Sequence, residues 1–216
     1  MHVYFMRHGE SEGNIRMIRQ GPEEPLSPRG ILEAKALAKR AMRIPAEVIF
    51  SSNYLRAQQT AAFIQDALGT NATSTLLFSE LKQPSELVGL PIHGEESKRA
   101  HELKDLHEHE PDWHLSDEEN FYDARKRVAD ALKFLEELPF EHMIVVTHSH
   151  LMFYIAAHIL LPETISPSAH RYFRDAMRIA NGGITTCEYL RDEKRWRLIS
   201  WNDHAHIKQG RRKIEK

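Results

Sequence analysis

Arg7 and His8 follow directly on the apolar run Val3-Tyr4-Phe5-Met6. A strand ending in Arg-His-Gly sets a guanidinium and an imidazole at the carboxyl edge of a sheet, where open α/β sheets place their ligands. Gly9 lets the backbone turn sharply and approach whatever binds there. Arginine grips a phosphoryl group through its planar fork of donors, and a neutral histidine beside it can attack phosphorus. The chemistry these residues suggest is phosphoryl transfer. Alone, the run Arg7-His8-Gly9-Glu10-Ser11 is also an ordinary surface turn, so the weight rests on segments that agree with it.

Two further segments do. Val48-Ile49-Phe50-Ser51-Ser52 reads as a buried strand, and Ser51, Ser52 and Asn53 are N-cap candidates for the helix behind it. That helix runs through Phe63 and Leu68 and stops at Gly69, a good C′ residue. Arg56 falls in its first turn, where free backbone N–H groups favour an anion. Met143-Ile144-Val145-Val146-Thr147 is another buried strand, ending at His148. A helical pattern through Leu151, Ile155, Ala156 and Leu160 follows, closed by Pro162. His148 thus holds the same kind of position as His8. His150 carries less weight, because its neighbour already explains the strand end.

The remaining elements complete an α/β domain. Leu26-Ser27-Pro28-Arg29-Gly30 opens a helix carrying Leu32, Ala36, Leu37 and Met42. Residues 82–120 are polar, punctuated by Pro84, Pro91 and Pro111, and read as a helical cap over the sheet edge. Phe121, Ala124, Val128, Leu132 and Leu135 recur at helical spacing, and Pro139 ends the pattern. Gly183–Leu190 and Trp196–Trp201 predict a hairpin at one sheet edge, joined by Arg191-Asp192-Glu193-Lys194-Arg195. Its apolar surface offers a second copy a place to pair as a homodimer. Residues 207–216 form a basic, mobile tail.

Composition bounds the function. The chain of 216 residues is 41% hydrophobic and 28% charged, values of a globular protein large enough for one well-buried domain. A net charge of −2 gives no general attraction to nucleic acid or anionic membranes. One cysteine, Cys187, excludes an intramolecular disulfide. No leader precedes the first strand and no apolar run approaches ~20 residues, so the expected location is cytoplasmic. His93, His101, His107, His109 and His114 cluster in the cap, but without the carboxylate or cysteine spacing of a metal site. No metal or other cofactor is expected.

Taken in order, these segments resemble the histidine phosphatase superfamily, the clan of phosphoglycerate mutases and fructose-2,6-bisphosphatases. The resemblance is carried by residues 7–14, by Ser51 through Ala61, and by Ser79-Glu80-Leu81. It continues through Val145-Val146-Thr147-His148, Asn181-Gly182-Gly183-Ile184-Thr185 and Trp201-Asn202-Asp203-His204-Ala205-His206. It implies a three-layer α/β/α sandwich with a mostly parallel sheet, one antiparallel edge strand and a small helical cap insertion at about 82–139. A single domain then spans residues 1–206.

The resemblance also implies roles. His8 is the nucleophile, forming a phosphohistidine that water hydrolyses. Arg7, Arg56 and His148 clamp the phosphoryl oxygens. Glu80 is the general acid, which requires it to hold a proton near neutral pH, through partial burial or the phosphate charge next to it. Asn14 adds a hydrogen bond near the phosphate entrance. Ser149 stands where many relatives have glycine and caps the following helix. After Glu80 the chain has Lys82-Gln83-Pro84-Ser85-Glu86-Leu87-Val88-Gly89 in place of the Gly-x-Trp-Glu-Gly type of run many members carry, which alters the substrate-facing wall. Arg16, Arg19, Lys98 and Arg99 are candidates to reach a second anionic group.

The expected activity is a metal-independent phosphatase acting on a small phosphorylated metabolite. A phosphoglycerate mutase is the alternative; mutases of this family tend to be longer, with an extended substrate-gripping segment that 82–139 lacks. A non-catalytic phospho-ligand binding protein is a third reading, disfavoured because His8, Arg7, Arg56, Glu80 and His148 are all present.

Overall fold

The computed structural model describes residues 1–161 and 164–207. Strand β1 is His2–Arg7, followed by a short helix α1 (Glu12–Arg16) and helix α2 (Pro28–Ala41). Strand β2 (Val48–Ser52), helix α3 (Leu55–Leu68) and strand β3 (Ala72–Thr75) come next. The cap holds helix α4 (Glu95–Leu106). Helix α5 (Phe121–Glu136), strand β4 (His142–Thr147), helix α6 (Ser149–Leu160) and helix α7 (Pro167–Ala176) lead to strands β5 (Ile184–Leu190) and β6 (Arg195–Asp203).

The six strands order as β3-β2-β4-β1-β5-β6. Strands β1 to β4 pair in parallel, β5 pairs antiparallel with β1, and β6 antiparallel with β5. The one reversed strand lies a place inside the edge, because its hairpin partner β6 takes the edge itself. Alternation along the central strands loads both faces. Val3, Phe5, Met143 and Val145 turn toward α5 and α6, where Val128, Leu132, Leu135, Leu151 and Ile155 complete one buried layer. Met6, Ile49, Ile144 and Val146 turn the other way and meet Leu37, Ala38, Ala41, Ala57, Ala61 and Ile64 of α2 and α3. Helices on both faces make this a three-layer α/β/α sandwich.

Several local expectations change. The core face of α2 is Leu37 among the small residues Gly30, Ala34, Ala38 and Ala41, which let it lie close to the sheet, while Leu32 and Met42 face solvent. Helix α3 begins after Tyr54 with no side-chain cap; Ser52 Oγ instead accepts from the Tyr54 N–H. Helix α5 packs into the core, so the segment that stands over the strand ends is the part of the cap before it. Gly9 does not make room for a ligand. A Cβ there would meet the Gly30 carbonyl oxygen at 2.3 Å, and one on Gly30 would meet the Glu10 carbonyl oxygen at 1.8 Å. The two glycines let the β1 loop and the start of α2 touch backbone to backbone. Pro162 and the tail from 208 onward lie outside the described residues.

Candidate active site

Register builds the centre of the site. In the β1–β4 ladder Arg7 faces Thr147, so the next residues, His8 and His148, emerge side by side, with ring centroids 5.0 Å apart. In the β2–β4 ladder Ser51 faces Val146, which brings Ser52 Oγ to 2.7 Å from His148 Nε2. Both histidines are almost fully buried, 3% and 0% exposed.

The His8 ring is fixed at both nitrogens. Nδ1–H donates to the Gly9 carbonyl at 2.6 Å, and Nε2 accepts from Arg56 Nε–H at 3.1 Å. Burial lowers its pKa well below the ordinary value, and the Arg56, His148 and Arg7 charges lower it further against the Gly9 bond. His8 is therefore neutral, with its Nε2 lone pair facing a cation. Burial and Arg56 hold the His148 pKa well below its usual value as well. Ser52 Oγ accepts from Tyr54 N–H and has no other acceptor for its own proton among the described residues, so it donates to His148 Nε2 and leaves the ring proton on Nδ1.

Two cations complete the cluster. Arg56, 2% exposed, is held by its Nη1–H bond to the Gly21 carbonyl at 2.9 Å and lies over the Tyr54 ring. Arg7 Nη1–H donates to the Ile179 carbonyl; burial brings its pKa down to about 10, so it stays charged near neutral pH. Arg7 Nε and His148 Nδ1 are buried donors without a hydrogen-bond partner among the described residues. Orphaned buried donors cost ~1–3 kcal/mol each, and beside two guanidinium groups they make an anion receptor.

Glu80 reaches the same centre from the segment after β3. Thr147 Oγ–H donates to the Phe78 carbonyl at 2.7 Å, and Arg127 Nη1–H donates to the carbonyls of Leu77 and Ser79, which fixes the turn that carries it. Its carboxylate caps α6, accepting from the His150 N–H at 3.3 Å and the Leu151 N–H at 3.2 Å. His150 Nδ1 lies 3.4 Å from it. Burial raises the carboxyl pKa, but His150, His148 and Arg56 outweigh it and hold Glu80 well below the usual carboxylate range.

One expectation is narrowed and one corrected here. Burial alone does not keep Glu80 protonated, because a helix N-terminus and the His150, His148 and Arg56 side chains face it, which leaves the phosphate charge as the route to its proton. Ser149 does not cap α6: it is the first helical residue after His148, and the Glu80 carboxylate takes the capping position. Ser149 still lines the cavity. Asn14 lines it too; its amide oxygen is taken by Ser11 N–H, Ser11 Oγ–H and Asn181 Nδ2–H, which leaves its NH₂ to offer a ligand.

The cavity holds about 530 Å³ and runs from His8 outward between the cap and α7. His150 was undervalued by sequence, since its link to Glu80 exists only once the chain folds. Helix α7, which brings His170 and Arg171 to the cavity wall, was missed although Ser166-Pro167 repeats the Ser-Pro start of α2. Of the cap histidines, His107 stacks on Trp113 at 4.4 Å and His114 bonds Asp123 at 2.7 Å. No cluster of metal-ligating side chains occurs among the described residues. Nor is any described helix long and apolar enough to cross a membrane. Of the other proposed anion-reaching residues, Arg16 pairs with Glu24, Lys98 and Arg99 are exposed, and Arg19 lines the cavity.

The fold and this cluster define a phosphoryl-handling α/β protein, and comparison with known proteins gives the family. The profile of the histidine phosphatase superfamily (branch 1) matches residues 3–204, and the chain belongs to that family. It is 28% identical over 155 residues to a protein of Hydrogenobacter thermophilus provisionally named phosphoserine phosphatase 2, covering 68% of this chain and 72% of that one. It is 27% identical over 214 residues to the probable phosphoglycerate mutase GpmB of Yersinia pestis, covering 96% and 95%. A crystal structure of an Entamoeba histolytica phosphoserine phosphatase mutant with phosphoserine superposes with a TM-score of 0.77 at 21% identity, covering 95% of this chain and 98% of that one. The relatives thus include both phosphatase and mutase names.

Proposed function

We propose that the protein is a metal-independent phosphomonoesterase that acts on a small phosphorylated metabolite through a phosphohistidine on His8. The observation that carries this reading is the His8 ring itself. It is neutral, its Nδ1 is locked by Gly9, and its Nε2 lone pair faces Arg56 beside two unpartnered buried donors. A phosphoryl group entering here takes Arg56 Nε–H from His8, and its oxygens meet Arg7, Arg56 and His148 Nδ1–H. Nε2 is then free to attack phosphorus in line with the ester oxygen. The N–P bond forms as the P–O bond breaks, and the leaving alkoxide takes a proton from Glu80. Water attacks phosphorus in the second step, Glu80 takes its proton, and the N–P bond breaks to release phosphate.

Glu80 obtains its proton with the substrate. The phosphoryl charge offsets the His150 and Arg56 field that holds the carboxylate ionised, and a monoanionic ester carries the proton in. The phosphatase reading is favoured over the mutase because the cap before α5 holds a single α-helix, α4, rather than the extended substrate-gripping segment of the longer mutases.

The test is phosphate release from a panel of phosphomonoesters, with and without chelator, for the native protein and His8→Ala. Turnover that survives chelation, vanishes in the variant and leaves acid-labile, base-stable phosphate on the native protein supports the proposal. Phosphate that passes to a bound acceptor without release selects the mutase. Full turnover by His8→Ala refutes the nucleophile.

A further inference from the structure

The cavity wall carries one cation that neither the phosphoryl chemistry nor an ion pair uses. Six arginines and lysines line it: Arg7, Arg19, Arg56, Lys104, Arg171 and Arg174. Lys104 pairs with Glu118, Arg171 with Asp105 and Glu108, and Arg174 with Asp175. Arg7 and Arg56 belong to the phosphoryl centre. Arg19 remains, half-buried and with no carboxylate within ion-pairing distance among the described residues. We propose that Arg19 binds a second anionic group on the substrate, so that the preferred ester carries a carboxylate or a second phosphate besides the one removed.

Local geometry holds Arg19 for this task. The loop that bears it is zipped to the cap on both sides. Arg19 N–H donates to the Leu90 carbonyl at 2.9 Å, Gly89 N–H donates to the Arg19 carbonyl at 2.8 Å, and Ile18 bridges Pro91. Nε–H of Arg19 donates to Ser97 Oγ at 2.9 Å and Nη1–H to Gln83 Oε1. Both acceptors are neutral, and Glu118, the carboxylate whose charge reaches the guanidinium, is itself paired with Lys104, so Arg19 is oriented without an ion pair of its own.

Nη2 is different. Its nearest polar neighbour is His101 Nδ1 at 3.5 Å, but that nitrogen lies 2.7 Å from the Ser97 carbonyl and must carry a proton to bond it. Two donors face each other there, and Nη2–H is left for a ligand. Placement agrees with this role. Two residues on, the Gly21 carbonyl accepts from Arg56 Nη1–H, so the loop that carries Arg19 also touches the phosphoryl clamp. Gln83, which orients Arg19, belongs to the run after Glu80 where this chain departs from the usual family pattern.

The proposal rests on the phosphatase reading, and its test separates the two. Matched three-carbon esters are compared: glycerol 3-phosphate with no second anion, 3-phosphoglycerate with a carboxylate, and propane-1,3-diol bisphosphate with a second phosphate. The native protein is expected to favour one or both doubly anionic esters in kcat/KM by about tenfold, the scale of one charge-assisted hydrogen bond. Which of the two is favoured identifies the group. Arg19→Gln should erase most of that preference through KM, and Arg19→Lys should restore part of it.

A preference unchanged in Arg19→Gln overturns the proposal, as does an equal fall for all three esters, which is what a merely structural link to the cap gives. Absence of turnover for every ester in the native protein sinks the phosphatase reading instead. Calorimetric binding of the same esters to His8→Ala, with and without Arg19→Gln, then decides Arg19 alone. Equal affinities for all three overturn it; a second-anion preference that Arg19→Gln abolishes sustains it.

Discussion

Replacing Glu80 with glutamine separates its two roles. Structurally, the carboxylate oxygens accept N–H groups from Leu81, His150 and Leu151. Glutamine keeps one acceptor oxygen and turns an NH₂ toward an N–H that had a partner. Losing one capping bond and the charge at the α6 N-terminus costs roughly 1–2 kcal/mol, or about 2–8 °C in Tm for a chain of this size. Chemically, glutamine cannot protonate an alkoxide, and loss of a general acid costs about 10²–10⁴-fold.

The two esters that separate these effects are glycerol 3-phosphate, whose alkoxide needs a proton, and p-nitrophenyl phosphate, whose aryl oxide does not. Their kcat/KM values report the chemistry up to formation of the phosphohistidine. Glu80→Gln is expected to lose about 10²–10⁴-fold in kcat/KM on the alkyl ester and far less on the aryl ester. Hydrolysis of the intermediate then limits the aryl reaction, and a burst of about one nitrophenol per site appears. Equal losses on both esters would show that Glu80 only shapes the site. Native kcat/KM on the alkyl ester should fall as pH rises above the ester's second ionisation, about 6, since the proton must arrive with the substrate. His8 gives no loss near pH 6.5, because its lowered pKa keeps it neutral to more acid pH.

Three other outcomes follow from particular contacts. His170, 5% exposed among Tyr154, Phe121 and Phe173, has a pKa lowered to about 4, chiefly by burial. Its unfolded form takes a proton below about 6.5 while the folded form does not, so stability is lost as pH falls from 6.5 toward 4, by about 3 kcal/mol in all. His170→Phe should flatten that part of the pH–stability curve in chemical denaturation, and an unchanged slope refutes the assignment. Gly30→Ala, whose Cβ would meet the Glu10 carbonyl oxygen at 1.8 Å, should cost several degrees of Tm or abolish soluble expression; a native Tm would mean the two backbones part cheaply. Arg56→Lys keeps the charge but cannot bond His8 Nε2 and the Gly21 carbonyl together, and should lower kcat/KM about 10²-fold on both esters.

Strands β1, β2 and β4 were legible because each is a continuous apolar run, buried on both faces, ending in residues that only a sheet edge would need. Strand β3 was not. Ala72-Thr73-Ser74-Thr75 has no apolar pattern, since it covers the sheet edge and buries little. The core face of α2 was misread for a related reason. Leu32 and Met42 are large and apolar yet face solvent, since apart from Leu37 the sheet accepts only glycine and alanine apolar positions there, and hydrophobicity does not report how close two elements must come.

The site divides along the same line. Residue types at strand ends could be read one by one, so Arg7, His8, Arg56 and His148 meet where the sequence placed them. Protonation could not be read, because it belongs to no single residue. Glu80 looks like an exposed loop glutamate until α6 begins beside it and His150 turns back toward its carboxylate. The same helix start that keeps Glu80 ionised at rest also holds its carboxylate in place at the cavity wall. In the proposed mechanism, a carboxylate kept ionised by positive groups takes up a proton when those groups turn to bind a phosphoryl group that brings one. Substrate charge therefore arms the acid, and an uncharged analogue that fills the cavity should leave Glu80 ionised.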